Sequence, residues 1–216
     1  MKAFLLASVV AFAAVPAMAD SILLTAKVDN VLVNTSTSAS GTLDISNQSF
    51  GPIFNLNSLT IDSQTFLTPP DILKTNTLDV AQDATGTHTL VIDITAFGLS
   101  GPNALTALLN EFSVTGLTTG WSAQEQTFIN GVLQADTGVF TTPSGSADLF
   151  SSAFLGSTFN AEVVYTINSN GVGSFNGGID IATAAVPEPA TWGMMLLGFL
   201  GLGAAFRRKL ALPLAA

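Results

Sequence analysis

Between residues 20 and 185, hydrophobic positions recur every second residue, which is the period of a strand and not of a helix. Thr87–Phe97 shows it most clearly. Leu90, Ile92, Ile94 and Ala96 fall on one side, and Val91, Asp93 and Thr95 on the other. Phe159–Ile167 repeats the pattern, with Phe159, Ala161, Val163, Tyr165 and Ile167 opposite Asn160, Glu162, Val164 and Thr166. Further strands are predicted at Leu23–Val33, Gly41–Ile45, Ser58–Ser63, Thr77–Val80, Glu111–Thr115, Ser122–Ile129, Val132–Ala135 and Gly173–Ile181. Asn130-Gly131 is the sequence of a type I′ hairpin, and Asn170-Gly171 is read the same way before the last strand. Breakers at Gly51-Pro52, Pro69-Pro70, Gly101-Pro102 and Pro143-Ser144-Gly145 keep the elements short. One segment departs from period two. Leu105, Leu108, Leu109 and Phe112 have helical spacing, and Pro102 suits a first turn, so a short helix is expected over Asn103–Phe112. About ten strands without βαβ alternation predict an all-β fold, an antiparallel β-sandwich of jelly-roll-like form.

Both ends follow a different pattern. Lys2, the uncharged run Ala3–Val15 and the small-x-small site Ala17-Met18-Ala19 make residues 1–19 a secretory signal peptide, cut before Asp20. Near the other end, Pro187-Glu188-Pro189 precedes the charge-free apolar run 190–206, and Arg207, Arg208 and Lys209 close it. The two prolines stiffen the segment and present Glu188 on an extended stretch. The apolar run of 17 residues would make a helix of roughly 25 Å, at the short limit for a hydrocarbon core of about 30 Å. Trp192 suits one interface, and the basic cluster suits the cytoplasmic side. Gly198, Gly201 and Gly203 leave a smooth face for another helix.

These residues resemble the PEP-CTERM sorting signal of Gram-negative bacteria, in its Pro-Glu-Pro-x-x-Trp variety. Pro187, Glu188, Pro189, Trp192, Met194-Met195, the Gly-rich run and Arg207-Arg208-Lys209 fall where that pattern puts them. The resemblance covers residues 186–209, with 210–216 as a tail. It implies recognition and removal of the tail by an exosortase, an integral-membrane cysteine protease. It also implies a transient inner-membrane anchor, then release to the cell surface or an extracellular matrix rich in exopolysaccharide. The β domain is then residues 20–185, enough for one core.

Charge narrows the partners. Fourteen acids face two lysines, Lys27 and Lys74, between Asp20 and Ala185, a net charge of −12. Such a surface repels phosphate backbones, so no nucleic-acid partner is expected. The absence of cysteine excludes thiolate nucleophiles and thiolate metal sites.

Candidate chemistry is sparse. His88, the single histidine, stands among threonines at a strand start and reads as an edge-strand polar residue. Asp136-Thr137-Gly138 matches the aspartic-protease triplet, but those enzymes need two carboxylates sharing a proton; a turn is the competing reading. No Gly-x-Ser-x-Gly elbow is present. Gly171-Val172-Gly173 with Gly177-Gly178 reads as a Gly-rich hairpin, not a phosphate cradle. Asp79 with Asp83, or Asp62 with Asp71, could offer oxygens to calcium, though without EF-hand spacing. No cofactor, metal or catalytic residue is therefore assigned.

Three readings remain. The first is an exported, non-catalytic envelope or matrix protein. The second is a carbohydrate-binding module, which needs Trp121, Phe128, Phe140 or Phe150 on a solvent face. The third is a secreted hydrolase, which needs two or more of His88, Glu125, Asp136 and Glu162 in one cleft.

Overall fold

In the computed structural model, residues 21–63, 71–184, 195 and 197–200 are described. The signal peptide and most of the sorting signal, including Ala17, Ala19, Pro187–Pro189, Trp192 and Arg207–Lys209, lie outside them, as does Pro69-Pro70. The chain divides into two units at Ala184/Ala185. In the second unit, residues 195 and 197–200 are helical, and Met195, Leu197, Phe199 and Leu200 expose their side chains. Among the described residues no helix is long and apolar enough to cross a membrane.

Among the described residues the first unit holds twelve strands: β1 (Ser21–Val28), β2 (Val31–Ser38), β3 (Thr42–Phe50), β4 (Phe54–Asp62), β5 (Asp71–Gln82), β6 (Thr87–Ser100), β7 (Ala104–Leu117), β8 (Ser122–Ile129), β9 (Val132–Phe140), β10 (Gly145–Leu155), β11 (Thr158–Asn170) and β12 (Gly173–Thr183). They form two six-stranded sheets, sheet I in the order β2-β1-β6-β11-β8-β9 and sheet II in the order β10-β7-β12-β5-β4-β3. Every described pairing is antiparallel. The expected antiparallel β-sandwich is what the chain forms.

Period two decides which side chains meet between the sheets. Leu90, Ile92, Ile94 and Ala96 of β6, and Phe159, Ala161, Val163, Tyr165 and Ile167 of β11, are all buried, as their alternation predicts. Phe54, Phe112 and Phe175 join them. Trp121 is also in this core, edge-on to Phe54 at 6.4 Å between ring centroids. Each such large side chain withdraws apolar surface worth about 2–3 kcal/mol from water.

Three local expectations are corrected. Leu23–Val33 is not one strand. Asp29 and Asn30 take φ of 49° and 67° and turn the chain back into β2 as a hairpin. The Asp29 carboxylate holds the turn by accepting the Thr89 N–H at 2.9 Å.

Asn103–Phe112 is not a helix but most of β7. Leu108 and Phe112 point into the core, while Leu105 and Leu109 point out. Apolar residues on both faces of one strand reproduce an i, i+3, i+4, i+7 spacing, and pairing with β10 and β12 on both edges settles it as sheet. Asn170-Gly171 makes no hairpin, because β11 lies in sheet I and β12 in sheet II. There Gly171, at φ 84°, donates its N–H to the Gly86 carbonyl at 2.8 Å, and the chain crosses between layers. Asn130-Gly131, by contrast, is the predicted hairpin turn, with φ of 50° and 74° between β8 and β9.

Candidate functional site

The residues proposed for hydrolysis are not brought together. His88 lies at the start of β6, a central strand of sheet I and not an edge, and its Nδ1 is 2.8 Å from Asp29 Oδ2. The Thr89 N–H and then His88 hold the Asp29 carboxyl below its ordinary value. Glu162 faces out of β11 opposite Thr95, seven residues along β6 from His88, so roughly 23 Å separates those levels.

Asp136-Thr137-Gly138 is not a turn between elements. It is an irregularity inside β9, with Gly138 at φ 66°, where three steps of β9 match two of β8. The Asp136 carboxylate accepts hydrogen bonds from Gln124, Gln126 and the Gly138 N–H. Burial raises its pKa, but bonds from Gln124, Gly138 and Gln126 outweigh that and hold it below its ordinary value.

Glu125 points inward. It is fully buried opposite Tyr165, and neither carboxylate oxygen has a hydrogen-bond partner. Burial pushes it up to about 9, so it is neutral at pH 7. The Tyr165 hydroxyl bonds Thr75 Oγ1 instead. Gly177 gives Glu125 its room: a Cβ there would stand 3.0 Å from Glu125 Oε1 and 2.6 Å from Phe175 Cζ.

Three of the four candidate calcium ligands are used locally. Asp62 accepts from Asn76, Asp83 from Asn55, and Asp71 pairs with Lys74. Among the described residues no group of three or more histidine or acidic side chains is placed to hold a metal.

The outer face of sheet II is the region with shape and chemistry together. Strand register puts Asp148 of β10 beside Glu111 of β7, Glu111 beside Asp180 of β12, and Asp180 beside Lys74 of β5. A cleft of about 310 Å³ lies over this row, lined also by Ser113, Ser146 and Gly178. Gly178 keeps the floor low, and a Cβ there would meet the Thr75 carbonyl oxygen at 2.7 Å. Lys74 Nζ donates to Asp180 Oδ2 at 2.6 Å and to Asp71 Oδ2 at 3.2 Å. Asp180 is only 8 % exposed, and its Oδ1 is buried without a partner. Burial raises the Asp180 carboxyl, and the Lys74 bond opposes that. The same bond, from the other side, raises Lys74.

One step along β10 the character changes. Phe150 is 75 % exposed and Phe154 60 % exposed, on the same outward parity as Asp148. Leu105 of β7, paired with Phe154, is exposed as well. Of the four aromatic candidates, Trp121 is core, Phe128 and Phe140 are half-buried, and Phe150 stands in solvent. Phe154 was not singled out by sequence, and Leu105 only as part of the expected helix face. Their signal was the apolar parity of β10 and β7 on the face opposite the core.

Comparison with known proteins adds one firm assignment. Residues 185–209 match the PEP-CTERM protein-sorting motif. The chain thus carries the C-terminal sorting signal of an exported protein. Comparison with curated protein sequences finds no match. Among solved structures, TmCBM61 in complex with β-1,4-galactotriose is 8 % identical, with a TM-score of 0.32, over 52 % of this chain and 69 % of that one. A family 35 carbohydrate-binding module from Clostridium thermocellum is 10 % identical, with a TM-score of 0.28, over 73 % and 96 %. CBM35 from Paenibacillus barcinonensis is 14 % identical, with a TM-score of 0.28, over 67 % and 98 %. No ligand or residue role is carried over from these structures.

Proposed function

We propose that this chain is an exported, non-catalytic protein of the cell envelope or extracellular matrix, processed by an exosortase at Pro187-Glu188-Pro189. The observation that carries the reading is the sorting motif at 185–209, directly after a β domain whose buried core spans Ile22 to Ile181. In this reading the signal peptide is cut after Ala19. The helix over 190–206 then holds the chain in the inner membrane, with Arg207, Arg208 and Lys209 inside. Its short length sets the stiff Pro-Glu-Pro segment at the outer face, within reach of a membrane-embedded protease.

Mass spectrometry of membrane and released fractions from the native host tests this. The released protein should begin near Asp20 and end near Pro187. Glu188→Ala removes the charge presented to the protease and leaves the helix intact, so uncut protein should accumulate in the membrane fraction. An intact tail on released protein would sink the reading.

A second reading concerns what the delivered domain does. Phe150 and Phe154, exposed on one strand beside a polar cleft, favour a carbohydrate-binding module for exopolysaccharide. Solvent-facing aromatic rings offer apolar faces on which the C–H faces of a sugar ring can stack.

A further inference from the structure

We infer that the sheet II cleft and the Phe150–Phe154 ridge together form one binding site for a polymer of amino sugars, a cationic polysaccharide. The inference rests on the carbohydrate reading and specifies its ligand class and its residues. Three carboxylates, Asp148, Glu111 and Asp180, stand in neighbouring register positions across β10, β7 and β12. The one cation lining the cleft, Lys74, is engaged by Asp180 and Asp71. Among the described residues, Asp148 and Glu111 make no ion pair and are exposed. Asp180, nine-tenths buried, keeps one oxygen without a hydrogen-bond donor. The site therefore has acceptors in excess and calls for donors that carry positive charge. A sugar bearing ammonium and hydroxyl groups supplies both.

The aromatic residues fit the same ligand. Phe150 lies two residues from Asp148 on one face of β10, so an apolar sugar face and an ammonium are met side by side. The ring face also attracts the ammonium itself. Phe154 stands roughly 13 Å further along the strand, which extends the site to a chain of sugars.

Other occupants fit less well. A uronic-acid polymer meets a domain of net charge −12. A second copy docking through this face about a two-fold axis would bring one acidic row up to another.

The test is calorimetric titration of the full chain, in mild detergent at pH 6 and low salt, with oligomers of glucosamine, N-acetylglucosamine, glucose and galacturonate. Glucosamine oligomers should bind at least tenfold more tightly than the other three. Phe150→Ala, and separately the pair Asp148→Asn with Glu111→Gln, should each weaken that binding tenfold or more. Added salt should weaken glucosamine binding most. These side chains are exposed, so unchanged melting of the variants serves as the folding control. Equal or tighter binding of the neutral or acidic oligomers overturns the amino-sugar inference while the carbohydrate reading stands. Glucosamine binding that Phe150→Ala leaves unchanged overturns the site. Binding to none of the four overturns both.

Discussion

Glu125, reaching from sheet I into the core against Gly177, and Asp180, on the outer face of sheet II, meet opposite conditions. Inside, Glu125 is fully buried with both oxygens unpartnered. Outside, Asp180 is almost as buried but has Lys74 at 2.6 Å. The interior offers no cation, so the acid there gives up its charge. The outer face offers one, and a salt bridge forms. The difference shows that burial alone does not decide what an acid does; the nearest donor does.

The comparison can be broken most directly at Glu125. Holding it protonated at pH 7, against an ordinary value of 4.5, costs roughly 3 kcal/mol at ~1.36 kcal/mol per pH unit. Its folded value is raised, so the stability it contributes is complete below about pH 4.5 and is lost as pH rises toward about 9. Glu125→Met keeps the volume and removes the titration. The variant's stability advantage over the parent should be roughly 3 kcal/mol larger at pH 7 than at pH 4.5. Thermal melting of both proteins from pH 4 to pH 8 measures it. A gain that does not change with pH would mean that Glu125 is ionised inside, or is not inside.

The Gly177-Gly178 step in β12 can be filled next. Gly177→Ala presses a methyl against Phe175 Cζ at 2.6 Å and the Ser113 carbonyl oxygen at 2.7 Å. The expected loss is about 2 kcal/mol, from overpacking. Gly178→Ala meets only one backbone oxygen inside 3.0 Å, that of Thr75, and should cost less. Chemical denaturation of the two variants ranks them, and the reverse order would place the tighter packing on the outer face.

Lys74→Met tests the partnered side. It leaves Asp180 buried without its cation, but Lys74 is 36 % exposed, so water screens part of the effect. A loss of about 1 kcal/mol is expected, recovered when Asp180→Asn is added. The smallest effect concerns the whole acidic surface. Raising salt to ~0.5 M should raise the melting temperature by about 1–2 °C, because screening relieves repulsion among fourteen acids facing two lysines. An unchanged melting temperature would mean the carboxylates are spaced beyond the reach of that repulsion.

How far the sequence was legible follows the same division between one face and two. Strands with one apolar face were plain, and β8 was read from end to end. Strands with apolar residues on both faces were not, which is why Leu105, Leu108, Leu109 and Phe112 mimicked a helix. Asn130-Gly131 named its hairpin, but Asn170-Gly171 could not, because the same dipeptide turns a chain within a sheet or between sheets. Glu125 carried a usable signal. It shares parity with Ala123, Thr127 and Ile129, so the alternation that buries Ile129 buries it too. The row Asp148, Glu111, Asp180 and Lys74 carried none. Its members come from four strands, and only register brings them side by side.

The position of β12 has a consequence for the order of events in the cell. It is the last strand of the domain in sequence, yet it sits in the middle of sheet II, between β7 and β5. Until residues 173–183 have emerged, β10-β7 and β5-β4-β3 are two fragments without a shared neighbour. Phe175, Ile179 and Ile181 are likewise missing from the core until then. Such distant pairings form late and slowly. The domain therefore closes only when the chain has been delivered to within a residue or two of the segment that begins at Ala185. A chain interrupted before that point has neither a finished fold nor a sorting signal, and a chain that carries the signal has already made β12.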